Sequence, residues 1–185
     1  MPSAPPPKGR SVKSIAARAV DDHARRKDFL GSAEIAALLD AAKHGRHGVR
    51  DHLLMLMMDR HGLRVSEAVG LRRGEIDLDQ ARLWVRRLKN GLAVERPIAG
   101  DGLRAIKRYL AARADRLPWL FVSERGQPLT RQSANDLIAT AAARAGLPHV
   151  HPHMLRHSCG FTLANRGTDL RLIQRASRHL FGKQR

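Results

Sequence analysis

Apolar residues along this chain recur mostly at helical spacing. Ile35, Leu38 and Leu39 share one face of a segment that runs from Ser32, read as an N-cap, through Lys43. A second helix is expected over Val49–His61, carrying Leu53, Leu54, Leu56 and Met57, with Gly62 closing it. The stretch "VSEAVGL" fits a short helix. The period then changes, and "ARLWVRRLKNGLAVERPI" reads as two strands joined at Asn90-Gly91, a pair favoured in tight hairpins. Helical spacing returns in "DGLRAIKRYLAARA", and "WLFVSERGQPLT" reads as a short strand and turn. Thr130 is placed to cap a helix reaching Arg144, which Gly146-Leu147-Pro148 ends. Helices over Pro152–Asn165 and Asp169–His179 complete the pattern. The fold class expected is mainly α with a small antiparallel β-sheet, an α+β domain over residues 29–185. Residues 1–28, which open with "MPSAPPPKGRSVKS", read as a basic disordered arm.

Charge narrows what such a domain does. Lysine and arginine total 34 against 17 acidic residues, a formal net charge of +17. An excess of this size points to a polyanionic partner, of which nucleic acid is the commonest. Hydrophobic residues make up 43% of the chain, enough for a packed core. The longest apolar runs, such as "LLMLMM", are far too short to span a membrane, and no apolar core of signal-peptide length is present. A single cysteine, Cys159, allows no internal disulfide and fits a reducing, cytoplasmic setting.

The densest chemistry is "HVHPHMLRH", His149 to His157. A zinc site would need converging ligands and a second ligand pair elsewhere. Pro152 starts a helix between His151 and His153, and the lone cysteine cannot complete a thiolate set, so no metal is expected. The same helix start puts His153 and Arg156 on one face near unsatisfied backbone N–H groups, which suits a phosphate. For this dyad alone, a capping histidine beside a surface arginine is an equally good account.

Other boxes weigh on that choice. "HPHMLRHSCGFTLANRGTDLRLIQ" resembles the H-x-x-R box of the tyrosine-type site-specific recombinases, the phage-integrase family, and its short fimbrial-switch invertases in particular. "HGLRVSEAVGLRRGEID" resembles the family's first arginine box, with Arg64 and Glu67 in place, and "VRRLKNG" its hairpin, with Lys89 in the turn. The boxes stand in the family's order from Phe29 to His179. The resemblance implies phosphoryl transfer on double-stranded DNA without metal or cofactor. Arg64 and Arg156 would stabilise charge on the phosphate and Lys89 would protonate the departing 5′ oxygen. His153 would handle a proton or hold a phosphate oxygen, His179 would occupy the position where the family has a histidine or tryptophan, and Glu67 would orient its neighbours. Arg72, Arg73, Arg86 and Arg87 are expected to hold the DNA backbone.

The chain departs from the family at its end. Before His179 stands Ser177-Arg178 where the family has Leu-Gly, and the nucleophilic tyrosine expected beyond His179 has no counterpart. The one tyrosine, Tyr109, falls in the helix after the hairpin, as a packed core or surface residue. The expectation is therefore a recombinase whose cleavage is impaired, truncated at its C-terminus. The alternative is a non-catalytic DNA-binding remnant or regulator of the same fold, acting as a homo-oligomer on DNA or beside an intact relative.

Overall fold

The most apolar helix, Gly48–His61, is the centre of the fold. In the computed structural model, residues 28–86 and 93–165 are described. They form helices α1 (Ser32–Lys43), α2 (Gly48–His61) and α3 (Val65–Val69), and then a 3₁₀ turn over Arg73–Glu75. Strands β1 (Ile76–Asp77), β2 (Arg82–Val85) and β3 (Val94–Pro97) follow, and then α4 (Gly100–Ala111), α5 (Arg131–Arg144) and α6 (Pro152–Asn165). Leu53, Leu54, Met55, Met57 and Met58 of α2 are all shut off from solvent. A helix apolar nearly all round has to be wrapped on several sides, and α1, α4 and α6 all pack against α2. Burying each such side chain contributes about 2 kcal/mol. Gly62 ends α2 in the left-handed conformation, φ 56°, which a side chain would resist. The chain then reverses through Leu63 into Arg64.

Three expected details are corrected. Ser32 is the first helical residue of α1, and its N-cap is Gly31, whose N–H donates to Glu34 Oε2 at 2.7 Å. Glutamate three residues in thus does the capping expected of the serine. The sheet has three strands among the described residues rather than two, in the antiparallel order β1-β2-β3. Asp77 Oδ1 accepts from the N–H groups of Asp79 and Gln80, folding the tight turn that sets Ile76 against Leu83. "WLFVSERGQPLT" forms only the isolated bridges Arg72↔Trp119 and Val122↔Pro128. The carbonyls of Trp119 and Leu120 are taken by the Arg113 guanidinium, at 2.8 and 2.7 Å, and cannot extend a ladder.

Elsewhere pattern and structure agree. Thr130 Oγ1 accepts from Ser133 N–H at 3.0 Å as the cap of α5, and α6 starts at Pro152. The beginning of the described chain is sewn to α6. The rings of Phe29 and Phe161 stack at 4.4 Å, Leu30 N–H donates to Ser158 Oγ at 2.7 Å, and that hydroxyl donates to Met154 O at 2.8 Å. No helix among the described residues is long and apolar enough to cross a membrane. Residues 1–27 of the expected arm, the Asn90-Gly91 turn and the helix expected over Asp169–His179 lie outside the described residues.

Candidate active site

Arg64 is the N-cap of α3, directly after the reversal at Gly62. Its backbone N–H donates to Glu67 Oε2 at 2.8 Å, and its Nη1 donates to Glu67 Oε1 at 2.9 Å. Arg156 arrives from α6, and its Nη1 lies 3.7 Å from Glu67 Oε2 while donating to Gly62 O. One carboxylate thus ties together two arginines separated widely in sequence. Glu67 and Arg156 are both buried, whereas the Arg64 side chain is 42% exposed. The arrangement holds one guanidinium rigidly and turns the other toward solvent.

Burial bears on one half of the alternative left open by the H-x-x-R dyad. Arg156 is 3% exposed, so it is not a surface arginine beside a capping histidine. Loss of hydration and then the charge of Arg64 lower its pKa to about 10, with Glu67 opposing. It remains a cation at neutral pH. His153 lies one turn earlier on the exposed side of α6. Its pKa is lowered first by burial and then by His151, His157, Arg156 and Arg64, which keeps it neutral near pH 7. A neutral imidazole can both donate and accept. Among the described residues, no group of three or more histidine, cysteine, aspartate or glutamate side chains could hold a metal ion.

Two supports were not visible in the motifs. The last carbonyls of α2 lack helical partners, and other elements supply them in succession. Cys159 Sγ donates to Arg60 O at 3.6 Å, Arg96 Nη1 of β3 donates to His61 O, and Arg156 Nη1 donates to Gly62 O. Burial pushes the Cys159 thiol up to about 11, so it stays a protonated donor. The only available sequence signal was the position of Arg96 on the same hairpin as Lys89. Arg72, Arg73 and Arg86 sit together in a separate cleft, whereas Lys89, Arg87 and His179 lie outside the described residues. Tyr109 is apart from the Arg64–Glu67–Arg156 cluster. It is buried on α4, with its ring 6.1 Å from that of Phe121 and the Arg113 guanidinium 5.6 Å from its centroid, and burial raises its pKa.

The model of the phage integrase family matches residues 28–180. The chain belongs to the phage integrase family. Its relatives within that family include the type 1 fimbriae regulatory protein FimB of Escherichia coli K12, 42% identical over 155 residues, 81% of this chain and 78% of that protein. The type 1 fimbriae regulatory protein FimE of the same strain is 41% identical over 155 residues, 80% of this chain and 78% of FimE. The tyrosine recombinase XerD of Bifidobacterium longum is 34% identical over 184 residues, 90% of this chain and 59% of XerD. The crystal structure of XerA recombinase superposes with a TM-score of 0.72 at 26% identity, covering 80% of this chain and 54% of XerA. XerH recombinase bound to its difH substrate shares the fold, at a TM-score of 0.70 and 22% identity over 80% of this chain and 46% of XerH. The chain spans about half the length of these two recombinases.

Proposed function

We propose that this chain binds duplex DNA and seats one backbone phosphate against Arg64 and Arg156, but forms no covalent bond to it. The observation that carries this reading is the buried Arg156, held beside Arg64 by Glu67 and by Gly62 O. Preplaced guanidinium groups stabilise the charge that builds on a phosphate during transfer, and need no metal to do so. His153, neutral and exposed beside them, is suited to accept or return a proton. Strand cleavage of the tyrosine-recombinase type requires a phenol oxygen in line with the leaving 5′ oxygen. The 185 residues hold one tyrosine, and Tyr109 is buried against Phe121 with its phenol pKa raised. The finer reading is therefore a recombinase-type DNA binder, with duplex DNA as partner.

The test is incubation with nicked duplexes carrying inverted repeats, resolved on a denaturing gel. A gel-shifted complex in native conditions and no protein–DNA adduct after denaturation is the expected pair of results. An adduct that disappears in Tyr109→Phe would overturn it.

A further inference from the structure

Away from the cluster on Glu67, four arginines meet around one buried carboxylate. Arg72, Arg73, Arg86 and Arg116 line an open cleft of about 570 Å³, with Glu75 among its walls. These residues come from three separated stretches, and specific backbone bonds bring them together. Leu120 N–H donates to Leu71 O at 2.8 Å, Arg73 N–H donates to Pro118 O at 2.8 Å, and Arg73 Nη1 donates to Asp115 O at 3.1 Å. The segment bearing Arg116 is thereby pinned beside the 3₁₀ turn bearing Arg72 and Arg73. Arg86 closes the cleft from the end of β2, three residues before Lys89.

The carboxylate is tied to the frame on one side only. Glu75 Oε2 accepts from Arg72 N–H at 2.9 Å. Its Oε1 is buried and makes no aligned hydrogen bond among the described residues, although Arg86 Nε stands 2.6 Å away. The Arg86 side chain is 72% exposed. The contact is close, with the carboxylate side buried and only the guanidinium side open to solvent. The guanidinium groups of Arg72 and Arg116 have no partner among the described residues. Three positive charges therefore remain after Glu75 is counted, in a hollow roomy enough for a phosphate group.

We propose that this cleft is a second anion site for a non-scissile phosphate of the DNA backbone, and that Glu75 is its resident competitor, holding Arg86 until a phosphate takes its place. The proposal rests on the DNA-binding reading above but concerns a different set of residues from Arg64 and Arg156. It carries a reversed sign that simple structural damage would not produce. Glu75→Gln keeps an oxygen for Arg72 N–H and removes the competing charge, so DNA binding tightens. Arg72→Ala and Arg116→Ala remove phosphate partners, so binding weakens and depends less on salt.

The experiment measures fluorescence anisotropy of a labelled 30-base-pair duplex of arbitrary sequence (about 30, a length well beyond one site) across a salt series. With both arginines replaced, the slope of log affinity against log salt is expected to become shallower by about 1 to 2. Glu75→Gln is expected to bind several-fold tighter at low salt. Unchanged slope and affinity in the double arginine variant would overturn this proposal while leaving DNA binding itself intact. Weaker binding by Glu75→Gln with an unchanged melting temperature would overturn the competitor role. If Glu75→Gln does not fold, the arginine variants decide the site alone. A parent chain that shows no salt-dependent binding would sink both this proposal and the reading it rests on.

Discussion

Glu67 has two jobs that different substitutions separate. It compensates the buried charge of Arg156 and orients the exposed guanidinium of Arg64. The Arg64 half faces water and adds little to stability. Removing the carboxylate takes away the negative charge 3.7 Å from the buried Arg156, so Glu67→Ala is expected to cost about 3 kcal/mol, read as a lower urea midpoint. Nearby, two buried groups on α2 offset each other against pH. Burial lowers the pKa of His61 from 6.5 to about 4, and it raises that of Asp59 from 3.8 to about 6, with Asp101 adding to the rise and Arg60 opposing it. The His61 contribution is present above pH 6.5 and is lost as pH falls toward 4, because the unfolded chain then binds the extra proton. The Asp59 contribution runs the other way, present below pH 3.8 and lost as pH rises through 6. Between pH 6.5 and 4 the two nearly cancel. Asp59→Asn should expose the His61 slope, with about 3 kcal/mol of stability lost across that window, measured by urea titration at each pH. A flat profile in the variant would show that the two are not opposed.

At the level of helices and their ends, stability and site geometry come apart. Thr130→Ala removes a cap from α5, and Gly62→Ala forces a side chain into a left-handed turn. Each is expected to cost about 1 kcal/mol. Only Gly62→Ala disturbs the carbonyl that Arg156 holds and the turn that delivers Arg64, so only it should weaken DNA binding in an anisotropy titration. The helices themselves were legible from spacing, because α1, α2, α5 and α6 each bury a continuous apolar face. β1 was not, since two residues carry no period and Ile76 becomes a strand only by pairing with Leu83. The strand expected around Trp119–Val122 failed because Arg113, six and seven residues earlier, captures two of its carbonyls, which apolar periodicity does not register. Motif spacing singled out Arg64, Glu67 and Arg156, which the fold brings together through the Glu67 carboxylate. It could not find Arg96, whose contact is with the distant backbone carbonyl of His61.

For the molecule as a whole, the net charge of +17 sets a measurable electrostatic footprint. With about six phosphate contacts, log affinity for duplex DNA should fall against log salt with a slope of roughly −5. Binding that ignores salt would rule out a phosphate-dominated interface. Replacing everything after Gln174 with a family-like tail bearing Leu-Gly-His and a tyrosine should yield a covalent adduct with nicked duplex, and Arg64→Ala in that chimera should abolish it. No adduct from the chimera would mean that the cluster on Glu67 is not a transfer site. The suture between Leu30 and Ser158 bears on how such chimeras and fusions are built. Leu30 N–H and the Ser158 hydroxyl join the start of the described domain to α6, two residues from Arg156. Traction applied upstream of Leu30, by a tether or a bulky fusion, is delivered first to the helix that carries the buried arginine. The domain has a mechanical handle, and its lever arm ends two residues from the buried Arg156.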